Sequence, residues 1–229
     1  MNQDNKIVKI NLIDLCLALL TATLIIVFAF IQSQSFIKTL PTLITLYVQI
    51  LMVKGNRCAF LIGGINSLIY GIGYYAESLY FSTLSAVAIS FPLMIFSFFN
   101  WKRKSQGSTT TLLNLKNSAR ILISIGLIVV WVLCVKLLGD IVSGGRFIYL
   151  DCFCFVGGIA VTILSSLRYA DSQYLNVLCC TLTLIMWIAV CIEDAKNINF
   201  IIISLYNLYK VIQMAISWTK LTKTKNSEA

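Results

Sequence analysis

The chain has 229 residues, of which 59% are hydrophobic and only 12% charged, about half the charge of a soluble domain. A mean hydropathy of +0.87 excludes a water-soluble globular protein. A net charge of +9 with no histidine removes the commonest general base and the usual nucleophile–base pairs.

Apolar spans read in chain order at 11–31, 38–53, 58–75, 79–100, 118–138, 148–167, 174–192 and 199–218, each of a length to cross a hydrocarbon core of about 30 Å alone or with flanking residues. The first follows Lys6 and Lys9 like a signal peptide, but it is too long for an h-region and carries Asp14, so it reads as a retained helix. The second is the shortest and has Pro41 near its start; it must thin the bilayer or lean on interfacial residues. No polar stretch exceeds the linker at about 101–117, so a soluble catalytic domain of about 50 residues or more has no room.

Residues 39–104 lie over 156–221 without a gap at an offset of 117, which puts Trp101 on Trp218, Tyr70 on Trp187, Glu77 on Asp194, Thr45 on Thr162 and Arg103 on Lys220. Each copy holds three apolar segments, broken first by a polar turn (Lys54-Gly55-Asn56-Arg57, or Asp171-Ser172-Gln173) and then by an acidic one (Glu77, or Glu193-Asp194). A duplicated three-helix unit is the plan of a transporter. The expected architecture is an all-α integral membrane protein of about eight helices. It divides into an extra N-terminal helix (1–35), a first three-helix bundle (36–104), a linker with one transmembrane helix (105–147), a second three-helix bundle (148–221) and a tail (222–229).

With eight spans both termini share one side. That side holds Lys6, Lys9, Lys54, Arg57, Lys102, Arg103, Lys104, Lys116, Arg120, Arg168, Lys220, Lys223 and Lys225, whereas Lys38, Lys136, Arg146 and Lys196 fall opposite. The positive-inside rule therefore places both termini in the cytoplasm. The basic residues are scattered over loops beside anionic lipid and form no groove, so no nucleic-acid partner is expected.

Cys16, Cys58, Cys134, Cys152, Cys154, Cys179, Cys180 and Cys191 lie in or beside apolar spans and read as small packing residues. Without histidine or a second cysteine pair, no metal site or cofactor is expected. Gly63-Gly64, Gly71-Ile72-Gly73 and Gly157-Gly158 sit inside helices and suit close helix packing.

Polar groups at membrane depth carry the functional reading. Asp14 and Asp151 stand within a turn of their span ends, and Lys210 lies about eight residues from the end marked by Trp218, within reach of snorkelling. Tyr206, Lys210 and Gln213 share one face of the last span, flanked by Asn207. Gln49, Asn66, Tyr70 and Ser90 before the helix-bending Pro92 are the comparable groups of the first repeat, with Thr181, Thr183 and Trp187 at a matching level of the second. The candidate substrate-binding set is Asn66, Tyr70, Thr181, Trp187, Tyr206, Asn207, Lys210 and Gln213, expected near one midplane cavity. Rings and amides of this kind suit a flat, polar, uncharged or singly charged ring compound, though interhelical hydrogen bonds use the same residues. If Lys210 lines the pathway, it repels a cationic ring by about 4 kcal/mol at 4 Å with an effective dielectric near 20.

Leu150-Asp151, the run Leu164 to Arg168, Tyr174, Leu205-Tyr206 and Trp218 resemble the carboxy-terminal half of the PnuC vitamin transporters; Asn66, Tyr70 and Asn100-Trp101-Lys102-Arg103 resemble its amino-terminal half. The resemblance covers about residues 36–220. It implies a fold similar to the SWEET sugar carriers, with two parallel three-helix bundles joined by a linker helix at about 118–138, and a homotrimer. It also implies import of nicotinamide riboside or a related vitamin, such as thiamine or riboflavin, across a bacterial cytoplasmic membrane by facilitated diffusion with alternating access. The family's substrate-lining Trp-x-x-Trp pair is replaced by Tyr174 and Val177, and Thr181 takes the place of the acidic or amide residue that follows. No enzymatic activity is expected, since a lipid-modifying enzyme needs a cluster of acids, histidines or an activated nucleophile. A non-transporting membrane assembly subunit is the alternative from another class.

Overall fold

A computed structural model describes residues 12–33, 36–76, 79–106, 109–110, 112–138, 147–193 and 197–226. Its helices are α1 (Leu12–Ile31), α2 (Phe36–Val53), α3 (Cys58–Ala76), α4 (Tyr80–Leu84), α5 (Phe91–Lys104), α6 (Asn117–Leu138), α7 (Ile148–Ser166), α8 (Ser172–Glu193) and α9 (Ile198–Asn226), with a π-helical segment, Ser85–Ser90, between α4 and α5. Among the described residues seven helical stretches are long and apolar enough to cross a membrane; Tyr80–Arg103, which joins α4, the π segment and α5, is one of them and is the fourth span in chain order once α2 is counted. The apolar part of α2, Thr39–Val53, is shorter. Large apolar side chains such as Leu19, Ile26, Ile125 and Val129 face outward, as a hydrocarbon solvent requires. The all-helical expectation lacks one detail, a two-residue antiparallel pair in which Ser105 faces Thr110 and Gln106 faces Thr109. Glu77 and Asp194 lie outside the described residues.

Turn chemistry explains why the helices end where they do. Gly55 takes a left-handed φ of +64° after α2, and Asn56 accepts a hydrogen bond from the Cys58 backbone N–H at 2.9 Å, capping α3. Between α7 and α8, Arg168 carries a positive φ of 68°. The linker is fastened there. Leu113 N–H donates to Arg168 O and Ala170 N–H to Leu113 O, both at 2.9 Å, while Asp171 accepts from Leu115 N–H at 2.7 Å and pairs with Arg120 at 2.8 Å.

In the first repeat α2 packs on α3 and α3 on α5; in the second α7 packs on α8 and α8 on α9. The units meet along two seams of matching kind, α2 against α9 and α5 against α7, so the first helix of each unit lies on the third helix of the other. Trp101 and Trp218, equivalent under the 117-residue offset, are both fully buried with ring centroids 5.7 Å apart. The third helices of both units therefore end at the same face, a parallel relation that the intervening α6 makes possible. Equivalence extends to hydrogen bonds: Thr45 Oγ1 donates to Pro41 O, and Thr162 Oγ1 to Gly158 O, both at 2.8 Å. Helix α1 lies against α2 and α9, and α6 against α7.

The π segment breaks the symmetry. Pro92 has no N–H to give to the carbonyl four residues back, and just before it Phe91 N–H reaches Ala86 O, five residues back. Helix α3 passes close by at Gly71, where a Cβ would stand 2.5 Å from Val87 Cγ2. Gly71→Ala is expected to cost about 1–3 kcal/mol through overpacking against a stiff β-branched side chain. Thermal unfolding in detergent should show the loss, and Val87→Ala in the same chain should recover most of it.

Candidate functional site

Between the two units lies a cavity of about 230 Å³. Helix α3 contributes Ser67, Tyr70 and Tyr74; the fourth span contributes Ser82, Ser85, Ala86, Ser90 and Met94; α7 contributes Cys154 and Phe155; and α8 contributes Thr183, Met186 and Trp187. Four aromatic rings, Tyr70, Tyr74, Phe155 and Trp187, stand in its walls. Tyr70 and Tyr74, one turn apart on α3, are stacked with centroids 5.4 Å apart, and Trp187 stacks on Phe200 at 4.1 Å and 10°. Hydroxyls supply the polar part, and no lysine, arginine, aspartate or glutamate is among the lining residues.

Hydrogen bonds set the α3 wall. Thr45 accepts from Asn66 Nδ2 at 3.0 Å and sits 3.1 Å from the Tyr70 hydroxyl, while Asn66 Nδ2 also reaches Pro41 O at 3.1 Å. Asn66 is thus a buried strut between α3 and α2 behind the cavity wall, and Tyr70 is held by the same cluster. On the opposite wall Cys154 Sγ lies 3.5 Å from Thr183 Oγ1.

The fourth span and α7 run side by side and are tied at both ends. Ser82 donates to Asp151 near the start of each helix, and Ser97 bonds Ser166 near the other end, both pairs 69 residues apart in sequence. Asn100 Nδ2 to Ser166 O at 2.6 Å and Trp101 Nε1 to Ser165 O at 3.0 Å reinforce the second tie. The two ties stand fifteen residues apart on each helix, roughly 22 Å at helical rise, and bracket the cavity. At the Ser82 end it is backed by a cluster of Leu79, Met186, Trp187 and Phe200 with Tyr70, Tyr74 and Phe147; at the other end stands a cluster of Phe60, Trp101, Met214 and Trp218.

The eight candidate residues do not share this cavity. Tyr70 and Trp187 line it, and Asn66 stands behind it. Thr181 turns back to Val177 O at 2.9 Å on its own helix. Tyr206 packs with Ala18, Ile25 and Leu46 on the α1–α2 side of α9. The Asn207 Oδ1 and Tyr206 hydroxyl atoms are buried and make no hydrogen bond. Lys210, 1% exposed, donates to Asp14 Oδ1 of α1 at 2.8 Å and to Gln213 Oε1 at 3.1 Å. Gln213 in turn donates to Asp14 Oδ1 at 3.0 Å and lies 2.7 Å from the Tyr209 hydroxyl. The stripe Tyr206–Lys210–Gln213 is real, but it faces α1 and α2, and Lys210 neither snorkels nor enters the cavity.

Tyr174 and Val177 also lie elsewhere, in an open groove with Ile212, Ala215, Ile216, Thr219 and Lys220 of α9. A polar ladder occupies the positions one residue earlier: Asn176 Nδ2 donates to Gln173 Oε1 at 3.3 Å, and Cys180 Sγ to Asn176 Oδ1 at 3.6 Å. Asn176, Cys180, Thr183 and Trp187 follow i, i+4, i+7, i+11 and so share the α8 face that reaches the cavity. That periodicity was available in the sequence; Ser82, Ser85 and Tyr74 had no comparable signal.

Residues 35–220 match the family described as nicotinamide mononucleotide transporter. The fold is similar to a crystal structure of the vitamin B3 transporter PnuC, with a TM-score of 0.80 and 18% sequence identity over 93% of each chain. Comparison with curated proteins gives no match. Two parallel three-helix units around a polar, aromatic cavity define a membrane-transporter fold. With more than three quarters of its length matched, the chain belongs to the nicotinamide mononucleotide transporter family, a PnuC-type family of membrane transporters.

Proposed function

We propose that the protein carries nicotinamide riboside, or a related vitamin or nucleoside, by facilitated diffusion with alternating access across a bacterial cytoplasmic membrane, both termini facing the cytoplasm. The supporting observation is the 230 Å³ cavity at the junction of the units, with Tyr70, Tyr74 and Trp187 as ring-binding surfaces and serine and threonine hydroxyls for a sugar. Its lining holds no basic side chain. A phosphate is best held by arginine or lysine, so the unphosphorylated riboside suits the cavity better than the mononucleotide in the family's description. Aromatic faces attract a pyridinium ring. The moving bodies are the bundles at 36–104 and 148–221, and the working assembly is a homotrimer.

Uptake into proteoliposomes tests the reading, with radiolabelled nicotinamide riboside, nicotinamide mononucleotide, thiamine and riboflavin. Riboside uptake that stops at equal concentrations inside and out is expected; preferred uptake of the mononucleotide contradicts the charge argument, and no uptake of any favours a non-transporting subunit. Reporter fusions after residues 104 and 229 are expected to behave as cytoplasmic. Activity of either in the periplasm overturns the orientation.

A further inference from the structure

The carboxylate of Asp151, at the start of α7, is only 3% exposed, and it accepts a hydrogen bond from the Ser82 hydroxyl. Ser82 stands in the first turn of α4, a five-residue helix whose N-cap, Leu79, offers no side-chain acceptor. The first N–H groups of any helix lack intrahelical partners, so a short helix of this kind is held in place mainly by what its side chains touch. The bond from the Ser82 hydroxyl to Asp151 therefore fastens the first turn of α4 to the second repeat. Beyond α4 the backbone changes register through the π segment Ser85–Ser90 and then meets the donor-less Pro92, a place where a helix bends readily. Ser82, Ser85 and Ser90 of this unit all line the cavity.

We propose that α4 is a hinged closure over the central cavity, pivoting on the π segment and latched by the Asp151 carboxylate, which makes Asp151 a positioning residue for access from the face opposite Trp101 and Trp218. Releasing the Ser82–Asp151 tie frees α4 to swing from α7 while the Ser97–Ser166 tie holds the other end. Breaking Ser97–Ser166 instead loosens the Trp101 face. The role in transport rests on the carrier reading; the latch itself does not.

Cys154 lines the cavity and serves as the reporter in the otherwise native chain. A membrane-impermeant methanethiosulfonate is applied to intact cells and to inverted vesicles, and Cys154 modification is read by mass spectrometry from each face. Asp151→Ala is expected to raise the rate from the face opposite Trp101 by roughly tenfold relative to the rate from the Trp101 face. Asp151→Asn, which keeps an acceptor oxygen, should fall between it and the unaltered chain, and Ser97→Ala should shift the ratio the other way. Taking the ratio of faces cancels the direct effect of a nearby charge on the thiol. Should Asp151→Ala not reach the membrane, Ser82→Ala, which leaves the carboxylate in place, is expected to shift the ratio in the same sense. An unchanged ratio in whichever of these variants inserts, or an equal rise from both faces, overturns the latch. Because labelling needs no substrate, an absence of uptake refutes the carrier reading without touching this result.

Discussion

Replacing Asp14 by leucine is expected to destabilise the folded protein by about 3–5 kcal/mol, because it strands the Lys210 ammonium, which is 1% exposed, without its carboxylate. Lys210→Met should cost less, since the Asp14 side chain keeps 20% exposure near the start of α1. The double variant Asp14→Leu/Lys210→Met should return most of the loss, as well-packed apolar pairs often match a buried ion pair. Thermal unfolding of the four proteins in one detergent gives the coupling; single variants as stable as the parent would remove the pair from the account. Uptake per folded protein should hardly change in Lys210→Met, since its ammonium points to α1 and is absent from the cavity lining.

The second large effect belongs to the cavity. Trp187→Leu should raise the half-saturating concentration of a ring substrate by roughly three- to tenfold, the loss of one aromatic contact worth about 0.5–1.5 kcal/mol. Trp187→Phe should recover part of it because the stack on Phe200 persists. Asn207→Leu, by contrast, changes a side chain outside the cavity lining and should leave the half-saturating concentration near that of the parent. Uptake measured over a range of riboside concentrations separates these variants, and a larger effect at Asn207 than at Trp187 would move the site to the α2–α9 seam.

Helix positions were readable because a hydrocarbon solvent writes them directly as apolar length; α3, read at 58–75, runs Cys58–Ala76. The internal repeat rests on the same apolar lengths; it makes Trp101 and Trp218 equivalent, and that the two rings pack together is a fact the repeat did not foretell. Neighbours across helices were not readable. Lys210 and Asp14 are 196 residues apart, and with lipid and core equally apolar nothing in the pattern of α9 tells which helix its polar stripe faces. On α8 a step of one residue turns a side chain by about 100°: Gln173 and Asn176 form a ladder, whereas Tyr174 and Val177 face the outer groove. Pro92 signals a bend, but hydropathy is blind to hydrogen-bond register, so the π segment and the tie from Ser82 to Asp151 emerge only in three dimensions.

The most direct test of the central cavity as the transport site is an experimental structure of the protein with nicotinamide riboside bound. The pyridinium ring is expected against the Tyr70–Tyr74 stack or the Trp187 face, with the sugar among the hydroxyls of the fourth span and α8. Riboside bound in the α8–α9 groove beside Tyr174, or along the α2–α9 seam near Asn207, would contradict it.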